Sequence, residues 1–211
     1  MIRVVSYKDI SYNHDLFIGQ HQLRHREFID RQNYQVKSID GLEFDAYDHI
    51  AAVYLVYSDD GRHVLGVSRL TPVRYGCMLA DHFSHLVDDA TVFRSDDNVW
   101  ESTRFCIDHR LPAEKRQAIC HALVAANIEF GMARDIDRII GLMPTMILRS
   151  VFERSGVVLD RLGPVQRVGG HTKIQAASIS ISKAQWQRVK RATGLSSVLF
   201  NHAAERRAHV A

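Results

Sequence analysis

The stretch VWESTRFCIDHRLPAEKRQAICHALVAANIEFGMARDIDRIIGLM, Val99 to Met143, reads as a strand, a long helix and a second strand. Its first segment, VWESTRFCI, alternates well enough for a half-buried strand. In the second segment Pro112 suits the first position of a helix, and Ile119, Leu123, Ala126 and Phe130 mark one buried stripe. The third, DRIIGLM, is short, apolar and β-branched. Strands with helices inserted between them predict a central sheet flanked by helices.

The rest of the chain extends this pattern in both directions. Upstream, IRVVSY is a short strand, and Leu16, Phe17, Leu23, Phe28 and Ile29 give an amphipathic helix over about Asn13 to Arg31. Residues 32 to 50 show no clear period and read as a long loop, a feature that in compact domains is usually functional or disordered. AAVYLVYS and HVLGVSRL flank Asp60-Gly61, a hairpin signal, and a short helical patch follows around LADHFSHLV. Downstream come a helix in TMILRSVFERSG closed by Gly156, two strands in VVLDRLGPVQRVGG and IQAASISIS, and a helical tail from about Lys183. The expectation is an α/β protein with one central mixed sheet, in a single domain over residues 1–211.

With 211 residues, 46% of them hydrophobic, the chain can bury a substantial core. Its net charge of +3 comes from 27 basic and 24 acidic residues spread along the sequence, which argues against nucleic acid as a partner. Charge arrives at Arg3, so the start lacks the apolar core of a signal peptide, and no apolar run approaches the ~18 residues of a membrane span. No membrane partner and a cytoplasmic location are expected. Cys77, Cys106 and Cys120 form no C-x-x-C pair and read as reduced, packed thiols.

Chemistry concentrates in GLEFDAYDH, Gly41 to His49, where Glu43, Asp45 and Asp48 crowd together beside Phe44 and Tyr47. Such acids repel one another unless a cation sits among them. Arginines offer one answer: Arg24, four residues from Phe28 on the same helix face, Arg69 at a strand end, and Arg104 in WESTRF. In that strand Glu101 and Thr103 share one side, with Arg104 on the other unless a bulge intervenes. Taken singly each is a surface ion pair; next to aromatic residues they become partly buried and need partners. A metal is the other answer. His21 and His25 are spaced i, i+4, and Asp45 or Asp48 could complete a zinc site, but there is no H-E-x-x-H and no third ligand at suitable spacing. His82 and His85 make a second weak pair, and the acid loop lacks calcium-loop spacing, so no metal is expected. There is no G-x-S-x-G for a nucleophilic serine, and Gly169-Gly170 is a turn rather than a phosphate cradle. DHRLPAEKRQA ahead of the long helix holds no glycine to expose amides to coenzyme A, which disfavours an ordinary N-acetyltransferase.

RHREF, EFDAYD, SRL, Phe83 in DHFSHL, and WESTRF occur in the order and approximate spacing of the acyl-homoserine-lactone synthases, the autoinducer synthases of bacterial quorum sensing. The chain resembles that family with specific motifs from about residue 20 to 108 and more loosely to about 180. The resemblance implies a fold similar to the GNAT-type N-acetyltransferases. It also implies an acyltransferase that joins an acyl group, delivered on acyl carrier protein or coenzyme A, to the amine of S-adenosylmethionine. Lactone closure then releases methylthioadenosine. S-adenosylmethionine is thus a substrate, and no cofactor is implied; the oligomeric state is left open. The family's charged and aromatic positions fall on Arg24, Phe28, Asp45, Asp48, Arg69, Phe83, Glu101 and Arg104. One departs: Tyr34, in RQNYQV, stands where the family usually has tryptophan.

From the resemblance, Arg24, Phe28, Tyr34, Asp45, Phe83 and Arg104 are expected to bind S-adenosylmethionine, whose two cationic centres suit acids and aromatic faces. Asp45 is assigned to its ammonium, while Asp48 and Glu101 are expected to pair with Arg24, Arg69 and Arg104. Glu101 is the candidate base, and backbone amides near Arg104 and Phe105 could hold the oxyanion. Thr103, Cys106, Leu142, Met143, Thr145, Met146 and Leu148 are expected to line the acyl pocket, with Met143 shortening or reshaping it. Arg110, Lys115, Arg116, Arg149 and Arg154 are candidates for docking an acidic carrier. A non-enzymatic sensor of a cationic metabolite is the remaining alternative.

Overall fold

The computed structural model describes residues 1–94, 98–169 and 172–199. The strands are β1 (Ile2–Ser6), β2 (Ser38–Ile39), β3 (Leu42–Glu43), β4 (Val53–Tyr57), β5 (Gly66–Pro72), β6 (Val99–Ile107), β7 (Arg138–Pro144), β8 (Asp160–Arg161), β9 (Gln166–Val168) and β10 (Thr172–Ser180). The α-helices are α1 (His14–Arg24), α2 (Met78–Phe83), α3 (Ala113–Ala133), α4 (Thr145–Ile147) and α5 (Lys183–Thr193). Eight strands form one sheet in the order β1-β4-β5-β6-β7-β10-β8, with β9 also paired to β10. It is mixed as expected: β6 and β7 run parallel, and the other ladders described in this sheet are antiparallel.

The long helix α3 makes the crossover between the two parallel strands, which is why the stretch from Val99 to Met143 decides the fold. Its Ile119, Leu123, Ala126 and Phe130 are buried as the stripe requires, against Leu55, Leu70 and Trp100 on one face of the sheet. The opposite face is covered by α1, whose Leu16, Phe17 and Leu23 pack on Tyr54, Val56, Val67 and Cys106. Just after Arg24 the helix widens into a π-turn over His25–Asp30.

Three local features position the site. First, residues 32–50 are not without structure: β2 and β3 form a small hairpin about Asp40-Gly41, both with positive φ (50° and 77°). Asp-Gly suits such a two-residue turn because both positions tolerate the left-handed region. Second, β6 carries a bulge. Val67 pairs with Cys106 and Arg69 with Thr103, so Ser68 alone faces both Arg104 and Phe105. Arg104 takes up the extra residue with φ +52°, a conformation uncommon for a residue with a Cβ. Third, β6 and β7 pair only from Val99–Glu101 to Arg138–Ile140, although both strands continue. Beyond that point Gly141 passes so close to Ser102 that a Cβ would lie 2.9 Å from the Ser102 carbonyl oxygen.

Candidate active site

The acids of the 41–49 stretch find their cations in three arginines drawn from different elements. Arg24 and Arg69 are fully buried, and so is Glu43. Arg24 donates through Nε to Glu43 at 2.5 Å and through both terminal nitrogens to Asp48 at 2.8 and 2.7 Å. Arg69 donates to both oxygens of Asp45, at 2.5 and 3.0 Å, and lies 2.9 Å from Asp48. Arg104 reaches Glu43 at 2.9 Å and Asp45 at 2.6 Å. The result is a closed ring of three carboxylates and three guanidiniums, with fork-to-fork contacts that only arginine can make.

The bulge explains how Arg104 joins it. On a regular strand Arg104 would point toward α3; as the inserted residue it shares the α1 face with Glu101 and Thr103. Neutral side chains complete the ring: Tyr54 donates to Asp48 at 2.8 Å, Gln20 accepts from Arg24 at 3.1 Å, and Thr103 accepts from Arg69 at 2.9 Å. Burial opposes ionisation of Asp48, yet hydrogen bonds from Arg24 and the charge of Arg69 outweigh it and hold that carboxyl well below the usual range. Asp45 is likewise held low by Arg69 and Arg104 against its burial.

Glu101 stands apart from the ring. Its carboxylate accepts from the backbone N–H groups of Met78 at 2.7 Å and Leu79 at 2.8 Å, at the start of α2. The expected pairing with arginines is therefore corrected: two backbone donors hold Glu101, and Arg69 acts on it only through its charge. Burial raises its pKa above the ordinary glutamate value, and the two N–H groups offset this only in part. A further link ties the acid loop to α2, where Tyr47 donates to Asp81 at 2.8 Å.

The aromatic positions divide into two groups. Phe28 stacks on Tyr34, with centroids 5.8 Å apart and planes 13° from parallel, and the Arg104 guanidinium lies 5.7 Å from the Phe28 centroid. Phe83 sits at the end of α2 against His82 and the cluster of Val73, Cys77 and Leu79. Within the ring, Asp45 is 19% exposed and Arg104 14%, whereas Glu43 and Asp48 are closed off. Asp45 is thus bound to arginines like Asp48, and differs from it in facing outward, beside the Phe28–Tyr34 stack.

The acyl set separates by strand parity. Met143 and Leu148 do line an apolar cleft, together with Ser102, Ile139, Gly141 and Phe152, where β6 and β7 part. Its free volume is about 20 Å³, little more than one water occupies. Thr103 and Cys106 lie on the opposite face of the sheet, on Arg69 and under α1. Leu142 packs with Val73 and Leu79, Met146 is 74% exposed, and Thr145 borders a separate basic pocket. A larger groove of about 780 Å³ runs along α1 past Gly19, Arg26 and His63 and touches no residue of the ring.

The expected zinc pair does not assemble. His21 meets the Glu43 carbonyl oxygen at 2.8 Å and His25 faces Asp30. Among the described residues Glu27, Asp108 and His109 do lie within metal-ligating distance of one another. Their carboxylates are already paired with Arg31, Arg26 and Arg110.

A family model described as "Autoinducer synthase" matches residues 9–189. The chain belongs to the autoinducer synthase family. It is an acyltransferase of the acyl-homoserine-lactone synthase type, as the sequence resemblance implies. The synthase is 31% identical over 166 residues to an isovaleryl-homoserine lactone synthase of Bradyrhizobium diazoefficiens, which covers 77% of this chain and 72% of the relative. A probable acyl-homoserine-lactone synthase of Sinorhizobium fredii is 26% identical over 87% of this chain and 89% of its own. The solved structure of BjaI, a coenzyme A-dependent acyl-homoserine lactone synthase with S-adenosylmethionine and isopentyl-coenzyme A, superposes with a TM-score of 0.82 at 27% identity, covering 100% of this chain and 99% of that one. The synthase thus has the sheet-and-helix fold expected for it. No helix among its described residues is long and apolar enough to cross a membrane.

Proposed function

We propose that this synthase transfers a compact acyl group from a coenzyme A thioester to the amine of S-adenosylmethionine, in the cytoplasm. One observation carries the reading: the acid–arginine ring and the Phe28–Tyr34 stack occupy one face of β6 at the point where an apolar cleft opens between β6 and β7. The polar side suits a ligand with sulfonium and ammonium cations; the cleft suits a hydrocarbon chain. Asp45, the outward-facing acid, is assigned to the ammonium, and Phe28 and Tyr34 to the sulfonium and its aromatic substituent. Glu101 serves as the base that removes the ammonium proton, directly or through water, so that the amine can attack the thioester carbonyl. Lactone closure then needs the substrate carboxylate aimed at the carbon beside sulfur, a matter of orientation more than of acid–base chemistry.

Support for coenzyme A comes from the relatives: one is an isovaleryl-homoserine lactone synthase, and the similar solved structure is of a coenzyme A-dependent synthase with isopentyl-coenzyme A. The narrowness of the cleft favours an acyl group of similar compactness. Incubation with S-adenosylmethionine and a panel of acyl-coenzyme A and acyl-carrier-protein thioesters tests this. Methylthioadenosine release with short acyl-coenzyme A is the expected result. Acylation without that release would indicate an N-acyltransferase, and release only with carrier protein would overturn the donor assignment.

Met143 sets the size limit in this reading. Met143→Ala is expected to move the preferred acyl chain to greater length, since each methylene newly buried is worth about 0.8 kcal/mol, or roughly fourfold in kcat/KM. Mass spectrometry of the lactones formed from a mixed acyl-coenzyme A pool reads the shift; an unchanged product profile would place the end of the chain elsewhere.

A further inference from the structure

Three polar side chains thread the apolar layer between α3 and the sheet. Asn127 of α3 and Ser68 of β5 are fully buried, and Ser102 of β6 is nearly so. Asn127 donates through Nδ2 to the Leu123 carbonyl oxygen at 2.8 Å and to Ser68 Oγ at 3.4 Å. Ser68 and Ser102 share a hydrogen bond, their hydroxyl oxygens 3.0 Å apart. Ser102 ends this chain and lines the apolar cleft. Neither the arginine ring nor the Glu101 carboxylate uses any of the three.

The chain has a direction. A carbonyl oxygen only accepts, so the nitrogen of the Asn127 amide has to face Leu123, and the second N–H of that nitrogen turns to Ser68. Ser68 accepts there and keeps its own proton for Ser102. In the opposite sense Ser102 would donate to Ser68, and the Ser68 proton would have no acceptor among the described residues. A donor stranded in the interior is costly, whereas the proton of Ser102 has the cleft before it. Ser102 therefore accepts from Ser68 and presents its O–H to the cleft.

Successive side chains of a strand face opposite sides, so Glu101 and Ser102 stand on the two faces of β6. They do so where the pairing with β7 stops, at Glu101 opposite Ile140, and the strands part. We propose that Ser102 donates to the carbonyl oxygen of the acyl thioester, and that Ser68 and Asn127 are positioning residues that keep it a donor; the inference rests on the thioester reading above. Glu101 takes one proton from the ammonium, the amine nitrogen bonds the carbonyl carbon, and the C=O electron pair moves onto oxygen. When that pair returns, the C–S bond breaks and the thiolate leaves, taking up the proton that the nitrogen sheds. Ser102 acts while the charge sits on oxygen, for a donor already aimed at that atom strengthens its hydrogen bond without reorganising.

Two probes test this: the thioester that the wild type turns over fastest, and the thioether of the same chain, which lacks the carbonyl oxygen. Ser102→Ala should lower kcat by about a hundredfold, the low end of what one oxyanion donor contributes, with thioether affinity unchanged. Ser68→Ala and Asn127→Leu should each lower kcat by about two- to tenfold, the worth of one neutral hydrogen bond, again without change in thioether affinity. Asn127 Oδ1 has no partner in the wild type, so Asn127→Leu removes an unsatisfied acceptor and should keep the fold, which urea unfolding reads. Wild-type kcat in Ser102→Ala, or thioether affinity falling in step with turnover, would overturn the proposal. A loss in Ser102→Ala beside unchanged kcat in the other two would strip Ser68 and Asn127 of the positioning role. A loss confined to donors with an oxygen on the third acyl carbon would move the hydrogen bond to that oxygen and overturn the carbonyl assignment. Failure of the synthase reading shows differently, as no methylthioadenosine release from any thioester by the wild type.

Discussion

Glu43→Ala will lower stability by about 3–5 kcal/mol, the range for breaking a buried ion pair by removing one partner. Glu43 has no exposed surface and joins Arg24, also fully buried, to Arg104. Its loss opens the ring into a chain linked only through Arg69, with three guanidiniums left to share two carboxylates, Asp45 and Asp48. The penalty is the stranded charge rather than the intrinsic worth of the pair. Glu43→Gln should cost a similar amount, because its amide presents N–H groups to guanidiniums that need acceptors. Urea unfolding reads both variants. A cost below about 1 kcal/mol would mean that water reaches the ring and that it behaves as a surface network.

Glu101→Gln is expected to lower kcat by at least about a hundredfold, the low end of what a positioned general base contributes, while thioester binding stays near normal. Since burial raises its pKa, the acid limb of the wild-type rate profile should lie above the ordinary glutamate value. Below that limb the carboxylate is protonated and cannot accept a proton, so the rate falls as pH falls. In the variant the limb should vanish. The same substitution removes one of two acceptors for the α2 N–H groups, so unfolding must be measured alongside. Lower stability with near-normal turnover would leave Glu101 only its role of holding α2.

Much of this architecture was legible in the residues. The β6-α3-β7 unit followed from alternation, Pro112 and one apolar stripe, and the acid and arginine positions of the ring were all visible. Three things were harder to read. Strands of two residues carry no period, so the β2–β3 hairpin is silent in the sequence pattern although Asp40-Gly41 signals a turn as Asp60-Gly61 does. Tyr54 and Gln20 read as ordinary strand and helix residues because nothing in a neutral side chain announces a buried charge four or six residues away. The residues of the acyl set are neighbours in sequence, whereas the sheet sorts them by parity. Gly141 and Met143 face the cleft and Leu142 does not, and Ser102 faces it while Thr103 does not.

The bulge at Arg104 has a consequence for how this strand tolerates change. If Arg104 were excised, Glu101 and Thr103 would keep their side of the sheet and Phe105 and Cys106 would keep theirs, because the inserted residue restores the count on either side of itself. The ladder would become regular and its core would be untouched. Excising a residue farther along the strand instead would turn the side chains between that point and the bulge inside out. Arg104 is thus a supernumerary residue in the ladder of the sheet, and the cost of losing it falls on the ring, where Glu43 and Asp45 would each give up a guanidinium.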